Sequence, residues 1–187
     1  MFIRSERLFL RPIWAEDWAD LHAGLSDGEV VRHLARMPGL YTQDGVAPQH
    51  DARLPRFLIT RPRGIDGVDV LGVIGLTRVG DGVALCYWIA RDHWGQGYAT
   101  EAGRAVLSLA RTLGHRVVMA RHFLDNPASG RVLRKLGFVP TGGHERLGDS
   151  IAAPSQAYRV DLGEPSDCDD DLGGNDGRGR YSSRRAA

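Results

Sequence analysis

Trp94-Gly95-Gln96-Gly97-Tyr98-Ala99-Thr100 is the stretch on which the reading of this chain turns. Ahead of it, Val83–Ala90 reads as a strand. Behind it, Ala99, Ala102, Val106, Leu109 and Leu113 recur at helical spacing, and Gly114 is placed to end the helix. A helix start offers unpaired amides and the positive end of a dipole, hence a site for an anion. Gly95, Gly97 and Ala99 are small enough for backbone to wrap a phosphate. Taken alone, the motif reads equally well as a bare strand-to-helix turn. Two other phosphate loops fail on spacing. A dinucleotide fingerprint needs glycine where Thr100 stands and an acid about 20 residues on. A Walker loop needs Lys followed by Ser or Thr, but the only lysine, Lys135, precedes Leu136.

Outward from this motif the pattern is mixed α/β. Arg7–Ile13 is strand-like, and Trp14, Trp18, Leu21 and Leu25 predict an amphipathic helix with Glu16 and Asp17 in its first turn. A second short helix is expected through Val30, Val31 and Leu34. Residues 37–55, punctuated by Pro38, Gly39, Gly45, Pro48 and Pro55, read as a long loop suited to shaping a binding site. Strands follow at 57–60, 70–79 and 83–90, the last two joined by Gly80-Asp81-Gly82. After the central helix come a strand at 116–122 and a helix with Asn126 as its cap and Pro127 at its first position. Gly137 ends that helix, and 138–141 and 157–162 close the sheet. Residues 164–187 are polar, acidic and glycine-rich and read as a disordered tail, which leaves one domain over 1–163.

Composition bounds the partners. The chain has 187 residues, 42% hydrophobic and 25% charged, enough to build one core. The net charge of +1 argues against a nucleic-acid binder. The N-terminus breaks its apolar residues with Arg4, Arg7 and Arg11, and no apolar run reaches the ~18 residues of a span, so neither signal peptide nor membrane partner is expected. Cys86 and Cys168 suggest no structural disulfide, and a cytoplasmic location is expected. None of the seven histidines has metal-ligand spacing; Gly142-Gly143-His144-Glu145 lacks the second histidine of a zinc-protease motif, so no metal is expected.

A second cluster lies about 30 residues beyond the first: Asn126-Pro127-Ala128-Ser129, then Leu136-Gly137-Phe138. With Ser5-Glu6-Arg7-Leu8-Phe9-Leu10-Arg11-Pro12, Val73-Ile74-Gly75-Leu76, Tyr87-Trp88-Ile89 and the glycine stretch, the chain over 5–162 resembles the GNAT (general N-acetyltransferase) superfamily, and within it the ribosomal-protein alanine N-acetyltransferases. The resemblance implies a mostly antiparallel six- to seven-stranded sheet with helices on both faces and a splayed cleft for acetyl-CoA. It implies an enzyme that moves acetyl directly to an amine, either a protein N-terminus or a small molecule. Alternatives are a non-catalytic acyl-CoA-binding module and a transferase of larger acyl groups. A homodimer is a further open expectation.

By the same resemblance, amides from Gly95, Gln96, Gly97, Tyr98, Ala99 and Thr100 hold the diphosphate, and Trp94, which begins the loop, belongs to the cofactor site. The main chain of Trp88, Ile89 and Ala90 pairs with the pantetheine, and one of its amides polarises the thioester. Asn126 bonds the pantetheine arm, and Ser129 protonates the departing thiolate. Arg134 and Arg131 are either contacts for the nucleotide end or solvated helix face. Two departures matter. Many relatives carry a tyrosine where this chain has Leu133, and an acid on the strand that is here Val83-Ala84-Leu85-Cys86. The general base is therefore open among water, His122 and Asp125. Cys86 reads as a core thiol with no cation beside it.

Overall fold

A computed structural model of the chain describes residues 1–25, 27–30, 53–142 and 154–163, and the backbone at 41–42 and 45–46. Most of the loop expected over 37–55, Val31 and Leu34 of the second helix, the segment after Gly142 and the tail over 164–187 lie outside the described residues.

Eight strands form one sheet in the order β1 (Ile3–Arg4), β2 (Phe9–Arg11), β5 (Arg56–Pro62), β6 (Val68–Val79), β7 (Gly82–Ile89), β8 (Val117–Phe123), β10 (Ser155–Asp161) and β9 (Val139–Pro140). β3 (Tyr41–Thr42) and β4 (Gly45–Val46) pair separately. Neighbours in the main sheet run antiparallel except β7 and β8, which are parallel. The expected mostly antiparallel sheet is therefore found. It exceeds the expected six or seven strands because β1, two residues long, is too short to leave an alternation in the sequence, whereas β9 falls within the strand expected over 138–141.

Helices cover both faces. On one side α2 (Tyr98–Thr112) buries Ala102, Val106 and Ala110 against Leu8, Leu10, Phe57, Ile74 and Leu85. α3 (Pro127–Lys135) adds Leu133 to the same core. On the other side α1 (Trp18–Leu25) sets Leu21 against Leu58, Val73 and Trp88. Central strands covered on both faces read as unbroken apolar runs, which is why 57–60 and 71–76 are buried without alternation. Each fully buried Leu, Ile or Phe contributes roughly 1.5–3 kcal/mol. No helix among the described residues is long and apolar enough to cross a membrane.

The stripe expected over Trp14, Trp18, Leu21 and Leu25 is broken. Residues Ala15–Asp17 form a 3-10 turn before α1, and Trp14 and Trp18 remain 42% and 38% exposed. Three residues per turn rotate Trp14 off the buried face. The Arg11 guanidinium lies 4.2 Å above the Trp14 ring instead, and Asp17 is buried beneath it. Arg11 donates to both Asp17 oxygens, at 2.7 and 2.5 Å, and Asp17 accepts from the Trp14 amide at 2.7 Å.

Gly72 shapes the sheet next to the cleft. Ile59 pairs with Gly72 and Thr60 with Val70, so Leu71 is an extra residue in β6. A Cβ at Gly72 would stand 2.1 Å from the Trp88 carbonyl oxygen, which only glycine avoids. The Ala90 amide donates to the Leu71 carbonyl at 2.8 Å. Trp88 and Ala90 therefore spend these groups on β6.

Candidate functional site

The sheet opens where its one parallel pair fails to zip. β7 and β8 share a single bridge, Ala84 with Met119, and no further pairing joins their C-terminal halves. A cleft of about 380 Å³ occupies this region. Its walls include Tyr87–Ile89 of β7, the glycine turn, the first turn of α2, and Asn126, Ser129, Arg131 and Lys135 at or on α3. Among the described residues no carboxylate lines it. A second recess of about 600 Å³ shares His93 with the cleft and is lined by Asp20, Asp27, Asp69 and Asp92 with Arg63 and Arg91, a net acidic wall and less favourable for a polyanion.

The glycine turn is built to present backbone. Gly95 and Gly97 adopt φ of +74° and +82°, the left-handed region that side chains avoid, and Gly97 is the N-cap of α2. A Cβ at Gly95 would meet nothing, and one at Gly97 only an Arg7 nitrogen at 3.6 Å, so open space adjoins the loop. The amides of Thr100 and Glu101 return to the Gly97 carbonyl at 3.1 Å each. Those of Tyr98 and Ala99, the first two of the helix, have no intrahelical acceptor by geometry. The Trp94 indole donates to the Ile89 carbonyl at 2.6 Å and ties the start of the loop to the strand end.

These features test whether a diphosphate-bearing acyl carrier fits. Unpaired amides lie at a helix start, free volume borders the loop, cations stand on α3, and no acid among the described residues lines the cleft beside them. The residues fit. Strand alternation further separates the main-chain groups of Trp88–Ala90. Trp88 and Ala90 face β6, so the Ile89 N–H faces the gap, while the Ile89 carbonyl is taken by Trp94.

Of the residues expected at the site, Trp88, Ile89, Trp94, Gly95, Gly97, Tyr98, Ala99, Thr100, Asn126 and Ser129 line the cleft together. Gln96, Ala90 and Arg134 do not. Gln96 is turned back, its amide bonded to the Asp92 carbonyl and its own carbonyl accepting from Arg7. Arg134 reaches instead toward the Tyr158 hydroxyl at 3.3 Å, whereas Arg131 lies on the wall. Asn126 accepts from the Ser129 amide at 3.2 Å as the helix cap.

Neither base candidate on the chain enters the lining. Asp125 is exposed beyond β8. His122 is buried against the Tyr158 ring and against Gly130, where a Cβ would stand 2.7 Å from its Nε2. Among the described residues its Nδ1 has no partner, and burial, with the Arg134 charge, lowers its pKa and keeps it neutral. Leu133, where relatives have tyrosine, is 1% exposed in the core. Burial pushes the Cys86 thiol up to about 12, which removes it as a nucleophile.

Three residues of the arrangement escape a sequence reading. The Tyr87 hydroxyl lies 2.8 Å from Ser129 Oγ. Arg7 bonds Glu101 through Nε at 2.8 Å and the Gln96 carbonyl through Nη1 at 3.1 Å, and its guanidinium sits 4.7 Å from the Tyr98 ring centre. Glu101 also accepts from Ser5 Oγ and the Arg7 amide, at 2.7 and 2.8 Å. Their separations of 42 and 94 residues leave no local signal; only the recurrence of charged and hydroxyl residues in both motifs hints at contact.

Comparison with known proteins agrees with this geometry. Residues 7–139 match the acetyltransferase (GNAT) domain family. The chain is 31% identical over 153 residues to the uncharacterised N-acetyltransferase YoaA of Bacillus subtilis, covering 75% of this chain and 84% of that protein. A GNAT-family acetyltransferase from Bacillus anthracis superposes with a TM-score of 0.68 at 21% identity, covering 87% of this chain and 99% of the other. Spermidine N-acetyltransferase from Vibrio cholerae, solved with CoA and spermine, superposes with a TM-score of 0.63 at 16% identity, covering 83% and 96%.

Proposed function

Because this chain belongs to the GNAT acetyltransferase family, we propose that it is a cytoplasmic enzyme that takes acetyl from acetyl-CoA and passes it directly to a primary amine. The acceptor class is a protein N-terminus, as the ribosomal-protein branch suggests, or a small amine. The observation that carries the reading is the cleft running from the α2 amides along β7 to Ser129, whose described walls hold no carboxylate.

Acetyl-CoA supplies an activated thioester carbonyl. The residues of the chain hold it and move protons. Tyr98 and Ala99 amides, with Arg131 and Lys135, receive the phosphates. The Ile89 N–H is the donor turned to the gap, placed to polarise a carbonyl oxygen bound there. Asn126 keeps its side-chain N–H groups for the pantetheine while its oxygen caps α3. Ser129 gives its proton to the departing thiolate, which raises the leaving ability of a thiol of pKa ~8.5. Transfer runs directly from the thioester to the amine, with the amine proton passing to water, and the Cys86 thiol, held protonated by burial, takes no part.

Thiol release from acetyl-CoA across a panel of amines tests the reading. Ser129→Ala lowers kcat about 10- to 100-fold, ~1.4–2.7 kcal/mol, and leaves the acetyl-CoA KM nearly unchanged. Binding of acetyl-CoA with no amine-dependent release would point to a non-catalytic acyl-CoA module. Intact turnover in a folded Ser129→Ala would remove Ser129 as the donor.

A further inference from the structure

We propose that Tyr87 is a positioning residue for acyl transfer: its phenol donates to Ser129 Oγ and so leaves the serine hydrogen free to point into the cleft, at the departing sulfur. This extends, and rests on, the role given to Ser129 above.

The Tyr87 hydroxyl has two acceptors on the same residue, Ser129 Oγ at 2.8 Å and the Ser129 carbonyl at 3.3 Å. Two arrangements are thereby open. In the first, Tyr87 donates to the carbonyl and the serine hydroxyl donates to Tyr87, so the serine hydrogen is spent inside the wall. In the second, Tyr87 donates to Oγ and the serine hydrogen turns outward. Negative charge on a leaving sulfur favours the second, because two O–H dipoles then align head to tail and strengthen each other. The serine backbone is already fixed by Asn126 through its amide, so the hydroxyl rotor is the freedom that Tyr87 governs.

The surroundings keep the tyrosine a donor. Tyr87 is half-buried on the cleft wall, and desolvation pushes its phenol up to about 12, against the opposing hydrogen bond from Ser129. It stays protonated at neutral pH. The position on α3 that holds tyrosine in many relatives is the core residue Leu133, so the hydroxyl reaches the serine from β7 instead of from the helix.

The protons balance without ionising Tyr87. The amine nitrogen bonds to the acetyl carbon and the carbon–sulfur bond breaks. Sulfur takes the Ser129 proton, and Ser129 regains, through water, the proton that the nitrogen releases. Tyr87 keeps its own throughout.

The test compares wild type, Tyr87→Phe, Ser129→Ala and the double variant in acetyl-CoA thiol release. The acceptors are spermidine and peptides beginning with Ala or Ser. Slow hydrolysis of acetyl-CoA, which also ends in thiolate departure, carries the same comparison without an acceptor. Tyr87→Phe is expected to lower kcat about 5- to 10-fold at unchanged acetyl-CoA KM, and the double variant to equal Ser129→Ala. A merely structural tyrosine would lower kcat in both backgrounds. Impaired Ser129→Ala beside wild-type kcat in Tyr87→Phe, or deficits that multiply, overturns the proposal alone. Full turnover in Ser129→Ala overturns the reading of Ser129 and this proposal with it. Should Tyr87→Phe not fold, 3,5-difluorotyrosine at position 87 keeps the shape and makes the phenol more acidic. Its kcat should then fall at alkaline pH where wild type stays level; an unchanged pH profile overturns the proposal.

Discussion

Replacing Arg7 by alanine should separate what holds the glycine turn in place from what makes it receptive to an anion. Arg7 comes from the turn between β1 and β2 and makes three contacts: Glu101, the Gln96 carbonyl and the face of Tyr98. Its side chain is 45% exposed, so the ion pair is discounted to ~0.2–1 kcal/mol. The carbonyl hydrogen bond adds about 0.5–1 kcal/mol and the stacking on Tyr98 a similar amount. Because the three share one side chain they are not additive, and ~1.5 kcal/mol is the expected loss. At about 2–4 °C per kcal/mol for a domain of this size, Tm should fall by roughly 3–6 °C. Affinity responds for a different reason. Without Arg7, Glu101 keeps its charge in the first turn of α2, behind the amides proposed to hold the diphosphate. At roughly 8 Å in water each charge pair costs ~0.5 kcal/mol, so a diphosphate binds about fivefold more weakly at low salt. Calorimetry with CoA at low and high salt measures this, beside thermal melts. The difference should vanish at high salt, and Arg7→Ala/Glu101→Gln should regain CoA affinity while its Tm stays low. Unchanged CoA affinity at low salt in folded Arg7→Ala would refute the electrostatic argument. Failure of the double variant to recover would show that Arg7 acts through the shape of the loop.

Two further outcomes are expected. Gly97→Glu places a side chain at φ +82° and a like charge beside the diphosphate, and should weaken CoA at least tenfold, about 1.4 kcal/mol; calorimetry on the folded variant checks it. Acid should unfold the protein through its paired carboxylates. Burial works against ionised Asp17 and Glu101, but for Asp17 the Arg11 guanidinium and the Trp14 amide outweigh it, and for Glu101 Ser5 and Arg7 do, so both pKa values are lowered. A folded-state pKa below the unfolded one gives stability that is complete above the unfolded values, roughly 4, and lost as pH falls through the lowered ones. Denaturation midpoints should be level from pH 7 to about 5 and drop below ~4. Asp17→Asn should be less stable at pH 7 with a shallower drop, and an Asp17→Asn profile identical to wild type would count against it.

The sequence by itself determined whatever depends on neighbours along the chain. Gly95 and Gly97 read as a tight strand-to-helix turn because left-handed backbone before a helix start is a local property, and both take it. Asn126 with Pro127 marked the start of α3, and Gly80-Asp81-Gly82 the hairpin between β6 and β7, because capping and turn geometry are settled within four residues. The Trp14–Leu25 stripe misled, since a 3-10 turn and an α-helix share nearly the same apolar spacing over so short a run, and the structure exposes both tryptophans. What only the tertiary structure decided are the meetings between distant elements. The gap between β7 and β8, expected only through the resemblance as a splayed cleft, follows from a parallel pair held at one bridge, which no residue in either strand announces. The direction of the Ile89 amide depends on the register of β7 against the neighbouring strand β6, where Gly72 stands opposite Ile89 and the Ala90 amide donates to Leu71. Arg7 and Tyr87 acquire their partners Glu101 and Ser129 only once the sheet has assembled, because a side-chain hydrogen bond requires its two atoms within about 3 Å and nothing in the local backbone sets that distance across 94 or 42 residues.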